Sequence, residues 1–209
     1  MPIDRARYSF LAHAECDICN PIGDAKTEEA IRLLGELAKL STSSTVLDIG
    51  AGKGEWVLRL ARRFGVRATA IEPAPLFAAE IRARALARGL PEPVDVRECT
   101  AATFVERRPG AFDAVLCIGS LHAFGTLHAT LHATKGLTRP GGCVLIGAGY
   151  WRQPPAPEYL ASFGGRADEM GTHASNVEAM LAQGLIPVWS CTASEDEFEE
   201  YEWRYSRGI

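Results

Sequence analysis

Short apolar runs alternate along this chain with longer segments whose apolar positions recur every three or four residues. The short runs are Val46 to Ile49, Arg67 to Ile71, Val94 to Arg97, Phe112 to Ile118, Cys143 to Gly147 and Leu185 to Thr192, and each predicts a strand. The longer segments predict helices. The first starts at Asp24 or Thr27, with Thr27 as a cap, and carries the stripe Ala30, Leu33, Leu34, Leu37 and Leu40. The second carries Trp56, Val57, Leu60, Ala61 and Phe64 and ends near Gly65. Others follow over Pro75 to Arg88, Thr126 to Leu137 and Ser175 to Gly184, and an acidic one starts at the cap Ser194. Thr100 to Arg108 reads as a brief turn or helix, Arg139-Pro140-Gly141-Gly142 as a turn, and the first 25 or so residues as poorly periodic.

Strand and helix in alternation predict an α/β fold, with a mainly parallel sheet and helices on both faces. In such sheets a ligand lies beyond the carboxyl ends of the strands, near the switch in strand order. Four candidate segments fall at such ends: Gly50 to Gly54, Glu72-Pro73, Thr100-Ala101 and Gly119 to His122.

The most informative stretch is Val46-Leu47-Asp48-Ile49-Gly50-Ala51-Gly52-Lys53-Gly54-Glu55-Trp56. It reads strand, glycine turn, helix. Glycine lets a ligand approach the backbone closely, and the N–H groups of the helix start point at that ligand. The spacing departs from two phosphate-binding patterns. G-x-G-x-x-G would need a glycine where Glu55 stands, and Lys53 has neither the spacing nor the following Ser or Thr of a P-loop.

Gly50, Gly52 and Gly54, preceded by Asp48, resemble motif I of the class I S-adenosylmethionine (SAM)-dependent methyltransferases. The resemblance implies a Rossmann-like three-layer sandwich, SAM as cofactor, and Asp48, Gly50, Ala51, Gly52 and Gly54 as one wall of its site. Glu72, followed by Pro73, would then accept bonds from the ribose hydroxyls, as acids of NAD enzymes also do. Cys99-Thr100-Ala101 stands where the family often has an Asp for adenine. With no Asp there, the Thr100 hydroxyl and the Ala101 N–H are the candidates. Phe112 to Gly125 resembles motif IV, with Ile118, Gly119 and Ser120 passing under the methionine part of SAM. His122 is either a general base facing methyl group and acceptor or a packing residue.

After the fifth strand, Tyr150 and Trp151 in a proline-rich loop are candidates to wall a substrate pocket. His13, Asn20-Pro21-Ile22, Gly149-Tyr150-Trp151 and Glu200-Tyr201-Glu202-Trp203 resemble a bacterial subgroup of small-molecule methyltransferases. In it the N-terminal segment folds over the SAM site, which makes residues 1–26 a lid within one domain, Tyr8, His13 and Asn20 lid candidates, and His13 a substrate contact. The family's seventh, antiparallel strand has no counterpart before Ile209, so the expectation is a chain that stops short of it.

Composition narrows the partners. The 209 residues suit one domain, and the formal charge of -4 supplies no basic field for nucleic acid. The clusters Arg59, Arg62, Arg63 and Arg82, Arg84, Arg88 read as solvated helix faces. No stretch approaches the roughly 20 apolar residues of a membrane span. Asp4, Arg5, Arg7, Glu15 and Asp17 interrupt any signal-peptide core, so a cytoplasmic location is expected. Cys16-Asp17-Ile18-Cys19 lacks a second pair for zinc, and His128 and His132 lack a third ligand, so no metal site is expected. A small-molecule acceptor, with the chain a monomer or homodimer, is the leading expectation. An NAD(P)-dependent oxidoreductase and a non-catalytic SAM-binding protein are the alternatives, the first separable by titrating NAD against SAM.

Overall fold

The computed structural model describes residues 4–90, 92–107 and 110–209, with only the backbone of residue 163. Strands β1 (Thr45–Ile49), β2 (Arg67–Ile71), β3 (Asp95–Arg97), β4 (Phe112–Ile118) and β5 (Thr138–Gly147) form one sheet in the order β3-β2-β1-β4-β5. Every neighbouring pair is parallel. The strand order reverses between β1 and β4, so a crevice opens at their carboxyl ends.

Strand residues alternate between the faces, and here both faces are covered. Val46, Ala68, Ala70, Ala114 and Leu116 pack with Ile31, Leu34, Val57, Leu60 and Ile81 from α2 (Asp24–Leu37), α3 (Glu55–Phe64) and α4 (Pro75–Ala87). Leu47, Ile49, Val115 and Cys117 point the other way, toward Phe104 of α5 (Ala101–Glu106) and Leu137 of α6 (Leu127–Leu137). That double burial explains why β4 is almost continuously apolar. On α6, Thr130 and Thr134 are fully buried. Each hydroxyl donates to the carbonyl four residues back, and Thr138 repeats the pattern onto Thr134 O at 2.7 Å.

The structure departs from the sequence expectations at several points. The segment 5–12 is a helix, α1 (Arg5–Ala12), capped by Asp4, whose carboxylate accepts from Arg7 N at 3.1 Å. Its weak apolar periodicity hid it. Gly23, not Thr27, precedes α2; Thr27 is buried one turn inside it. The predicted 139–142 turn lies within β5, as an insertion between the register pairs Phe112↔Thr138 and Ala114↔Cys143. Leu185 to Thr192 is not a strand. Pro187 lacks a ladder donor, and Ile186 (84% exposed) and Val188 (66%) have no sheet to pack against. Three helices complete the described fold: α7 (Pro157–Phe163), α8 (His173–Ala182) and α9 (Glu195–Arg207). Ser194 caps α9, as the sequence implied, and Glu197 returns the bond to Ser194 N.

Candidate functional site

The floor of the crevice is the turn between β1 and α3. Gly50, Gly52 and Gly54 all have left-handed φ (68°, 56° and 77°). Side chains are strained in that region, so the turn demands glycine for its backbone before any ligand is considered. Gly50 N and Ala51 N donate to Ile71 O at 2.9 and 3.0 Å, fixing the turn to the end of β2. Just beyond, Glu72 accepts from Gly52 N at 2.9 Å and, on its other oxygen, from Ala74 N at 3.0 Å. Pro73 links these two contacts in the chain. Each carboxylate oxygen keeps a further lone pair for an outside donor.

From the other side of the switch, Gly119 (φ 70°) follows Ile118 at the end of β4, and its N–H donates to Gly147 O at 3.0 Å. Ser120 is buried, and its hydroxyl donates to Gly50 O at 2.9 Å. A β-carbon at Gly50 would run into that side chain. Ser120 therefore joins the two glycine turns, and its hydroxyl is committed to that bond.

Two acids give the crevice its charge. Asp48, 3% exposed on β1, has one carboxylate oxygen buried without a hydrogen-bond partner. Burial, with the Glu72 charge nearby, pushes its pKa up to about 7. Burial raises Glu72 as well, against the easing effect of the bonds from Ala74 and Gly52 and of nearby His122. A buried carboxylate oxygen without a donor is costly, so the fold favours the protonated Asp48 carboxyl.

A roof lies over this floor. A β-carbon built on Gly52 would sit 3.4 Å from Cys19 Sγ, and one on Gly119 would sit 3.8 Å from Asn20 Cβ. Asn20 holds its own turn by accepting from Ile22 N at 3.1 Å. Cys19 and Asn20 of the N-terminal segment thus lie against the two glycine turns.

The remaining candidates are distributed unevenly. His122 lies in a 3-10 turn (Leu121–Ala123) after β4 and is exposed. Its neighbour Leu121 lines a cleft of about 100 Å³ together with Thr126, Gly149, Glu169, Met170 and Asn176. Thr100 caps α5, accepting from Thr103 N at 3.2 Å and donating to Thr103 Oγ1 at 3.0 Å. Its O–H is used on the helix, while Ala101 N, first in the helix, has no intrahelical acceptor.

Tyr150 and Trp151 do not line the cleft. The Tyr150 ring stacks edge-on against His173 at 5.6 Å, and Trp151 Nε1 donates to Ala167 O at 3.1 Å. Trp151 N also donates to Gly171 O, and Asn176 Nδ2 to Gly149 O. The backbone at Gly149 thus faces the cleft, while the Tyr150 ring packs on the start of α8 and the Trp151 ring on α7 and the turn after it.

His13 is turned inward. It is buried, donates from Nδ1 to Ser9 O at 2.7 Å, and so accepts at Nε2 from the Tyr201 hydroxyl at 2.9 Å. Burial holds its pKa below the ordinary imidazole value. Tyr8, on the same helix, is 43% exposed. Sequence reasoning passed over Lys53, whose ammonium donates to His13 O at 2.5 Å and Ala14 O at 3.2 Å. Its place between two motif glycines was the available signal, and in the fold it is 4% exposed.

Comparison with known proteins agrees with this geometry. Residues 46–142 match a family model described as a methyltransferase domain. The uncharacterized protein YjhP of Escherichia coli (strain K12) is 32% identical over 202 residues, covering 96% of this chain and 79% of that protein. The ubiquinone biosynthesis O-methyltransferase of Pseudomonas aeruginosa (strain UCBPP-PA14) is 35% identical over 143 residues, which span 68% of this chain and 60% of that enzyme. Among solved structures, a SAM-dependent methyltransferase from Thiobacillus denitrificans in complex with S-adenosylhomocysteine superposes with a TM-score of 0.82 at 25% identity. The match covers 100% of this chain and 82% of that one.

Proposed function

This chain belongs to the class I SAM-dependent methyltransferases, and from that premise we propose that it methylates a small molecule bound in the cleft between the loops after β4 and β5. The observation that carries the reading is the meeting of Glu72 and the Gly52 N–H at 2.9 Å beside the unpartnered Asp48 oxygen, under the roof of residues 19–20. The residues present fit SAM. Glu72 has free lone pairs for a diol, Asp48 is a buried carboxyl whose ionised form a nearby cationic ligand would favour, and the glycine turns leave the backbone bare. When bound, SAM supplies a sulfonium methyl group for transfer. The chain itself need only exclude water and orient the acceptor, and orientation alone can lower a barrier by several kcal/mol.

In this reading the cleft beside Leu121 admits the acceptor, and His122 takes the proton that the acceptor releases. The name of the ubiquinone-pathway relatives favours a hydroxyl as the acceptor group, for which such a base is useful. A cytoplasmic setting is consistent with six free thiols. Calorimetric titration with S-adenosylhomocysteine tests the site. Gly52→Val should abolish binding, because a β-branched side chain there is strained at φ 56° and meets Cys19. Glu72→Ala should weaken binding by about tenfold or more, the worth of a hydrogen bond to a charged acceptor. Wild-type affinity in both variants would refute the assignment.

A further inference from the structure

The glycine turn and the N-terminal roof are not merely adjacent. Lys53 stands between Gly52 and Gly54 and is 4% exposed. Among the described residues no carboxylate pairs with it; its ammonium is satisfied by the His13 and Ala14 carbonyls. These belong to the end of α1, where the helix dipole places partial negative charge. A buried ammonium cannot give up its acceptors without a large cost. Lifting the roof therefore strips Lys53 or drags the cofactor turn with it.

The same helix end is held from outside. The Tyr201 hydroxyl of α9 donates to His13 Nε2 at 2.9 Å, and the Tyr205 ring meets the His13 ring edge-on at 5.0 Å. Arg207, in the last turn of α9, pairs with Glu15 at 2.8 Å.

We propose that Lys53 is a positioning residue which, with Tyr201 on the opposite side of His13, clamps residues 13–23 over the glycine floor and so sets the rate at which cofactor leaves. The proposal rests on the reading of that floor as the cofactor site. It assigns α9 a part in cofactor exchange although α9 lies outside the crevice, and it gives Lys53 work that its place in the glycine motif does not specify.

Cys19 is a built-in reporter, because its thiol lies between the roof and Gly52. Burial pushes its pKa up to about 11, so the closed form should react slowly with thiol reagents. The test compares wild type, Lys53→Met and Tyr201→Phe in two measurements. The first is the dissociation rate of S-adenosylhomocysteine by stopped flow. The second is the rate of iodoacetamide labelling at Cys19, quantified by peptide mass spectrometry without cofactor.

Loss of a charge-assisted bond predicts dissociation and labelling about tenfold faster in Lys53→Met, and loss of the neutral bond about threefold faster in Tyr201→Phe. Far-ultraviolet circular dichroism confirms that each variant is folded; should Lys53→Met fail that check, Tyr201→Phe decides alone. Wild-type rates in the folded variants would overturn the clamp. A wild-type protein that binds no S-adenosylhomocysteine would instead strike the cofactor reading, and labelling at Cys19 would still decide whether the clamp exists.

Discussion

At the scale of single residues, Asp48 is both the most costly and the most testable group. Its carboxyl titrates at about 7 in the fold against an ordinary 3.8. Between those values the folded chain holds the proton more tightly than the unfolded one. Stability is therefore greatest at the acid end of that window and declines as pH rises to about 7, by up to about 4 kcal/mol. Asp48→Asn removes the titration. Urea unfolding at pH 5 and pH 7.5 should show the variant gaining about 2–3 kcal/mol on the wild type between the two. An unchanged difference would mean that Asp48 ionises normally. The sequence singled out the glycines, whose left-handed φ restricts residue type, Asp48 by its place before them and Glu72 by its place at the end of β2. It could not show that Ser120 and Thr100 spend their hydroxyls on neighbouring backbone, or that His13 faces inward. Thr100 is settled by a local partner, Thr103, but Ser120 and His13 are settled by Gly50 O and the Tyr201 hydroxyl, 70 and 188 positions away.

Among the elements, β4 carries more than its apolar run suggested. Asp113 on β4 accepts from Thr45 N at 2.6 Å and from Thr45 Oγ1 at 3.1 Å, and it pairs with Arg139 at 2.7 Å. It pins the start of β1 and the insertion in β5 at one point. Replacing it with alanine should cost about 2–4 kcal/mol, chiefly by leaving Thr45 N without its acceptor. Chemical denaturation should record that loss with little change in cofactor affinity, since the site lies at the far ends of the strands. Elements with strong periodicity were legible: β2 and β4 fall where their apolar runs end, and α4 begins at Pro75. Leu185 to Thr192 misled, because a strand needs a partner as well as a pattern. The turn reading of 139–142 was right in its chemistry, with Gly141 at φ 78°, but that chemistry serves an irregularity inside a strand.

Across the whole molecule, the contacts that matter most join residues far apart in the chain. His13 and Tyr201 are separated by 188 positions. Lys26 reaches both Glu197 and Thr192 O, while Arg84 spans from Glu55 to Asp17. No local pattern announces such pairings. They tie the N-terminal segment to the core and to α9, so ligand binding in the crevice should be felt in all three. S-adenosylhomocysteine at a hundredfold excess over its Kd should raise unfolding free energy by about 2.7 kcal/mol. In hydrogen-exchange mass spectrometry the slowing should be strongest over residues 13–23. Protection confined to the glycine turn would contradict that coupling.

The threonines of α6 bear on how this sheet assembles in time. Threonine is a weak helix former, and a hydroxyl bonded to the carbonyl four residues back tends to bend the helix. Thr130 and Thr134 thus give α6 little tendency to fold on its own. Their methyl groups repay burial only once β4 and β5 are in register. Helix α6 is then expected to form late, outside the folding nucleus. Substitutions along its buried face belong to the class that hastens unfolding while leaving the folding rate nearly untouched.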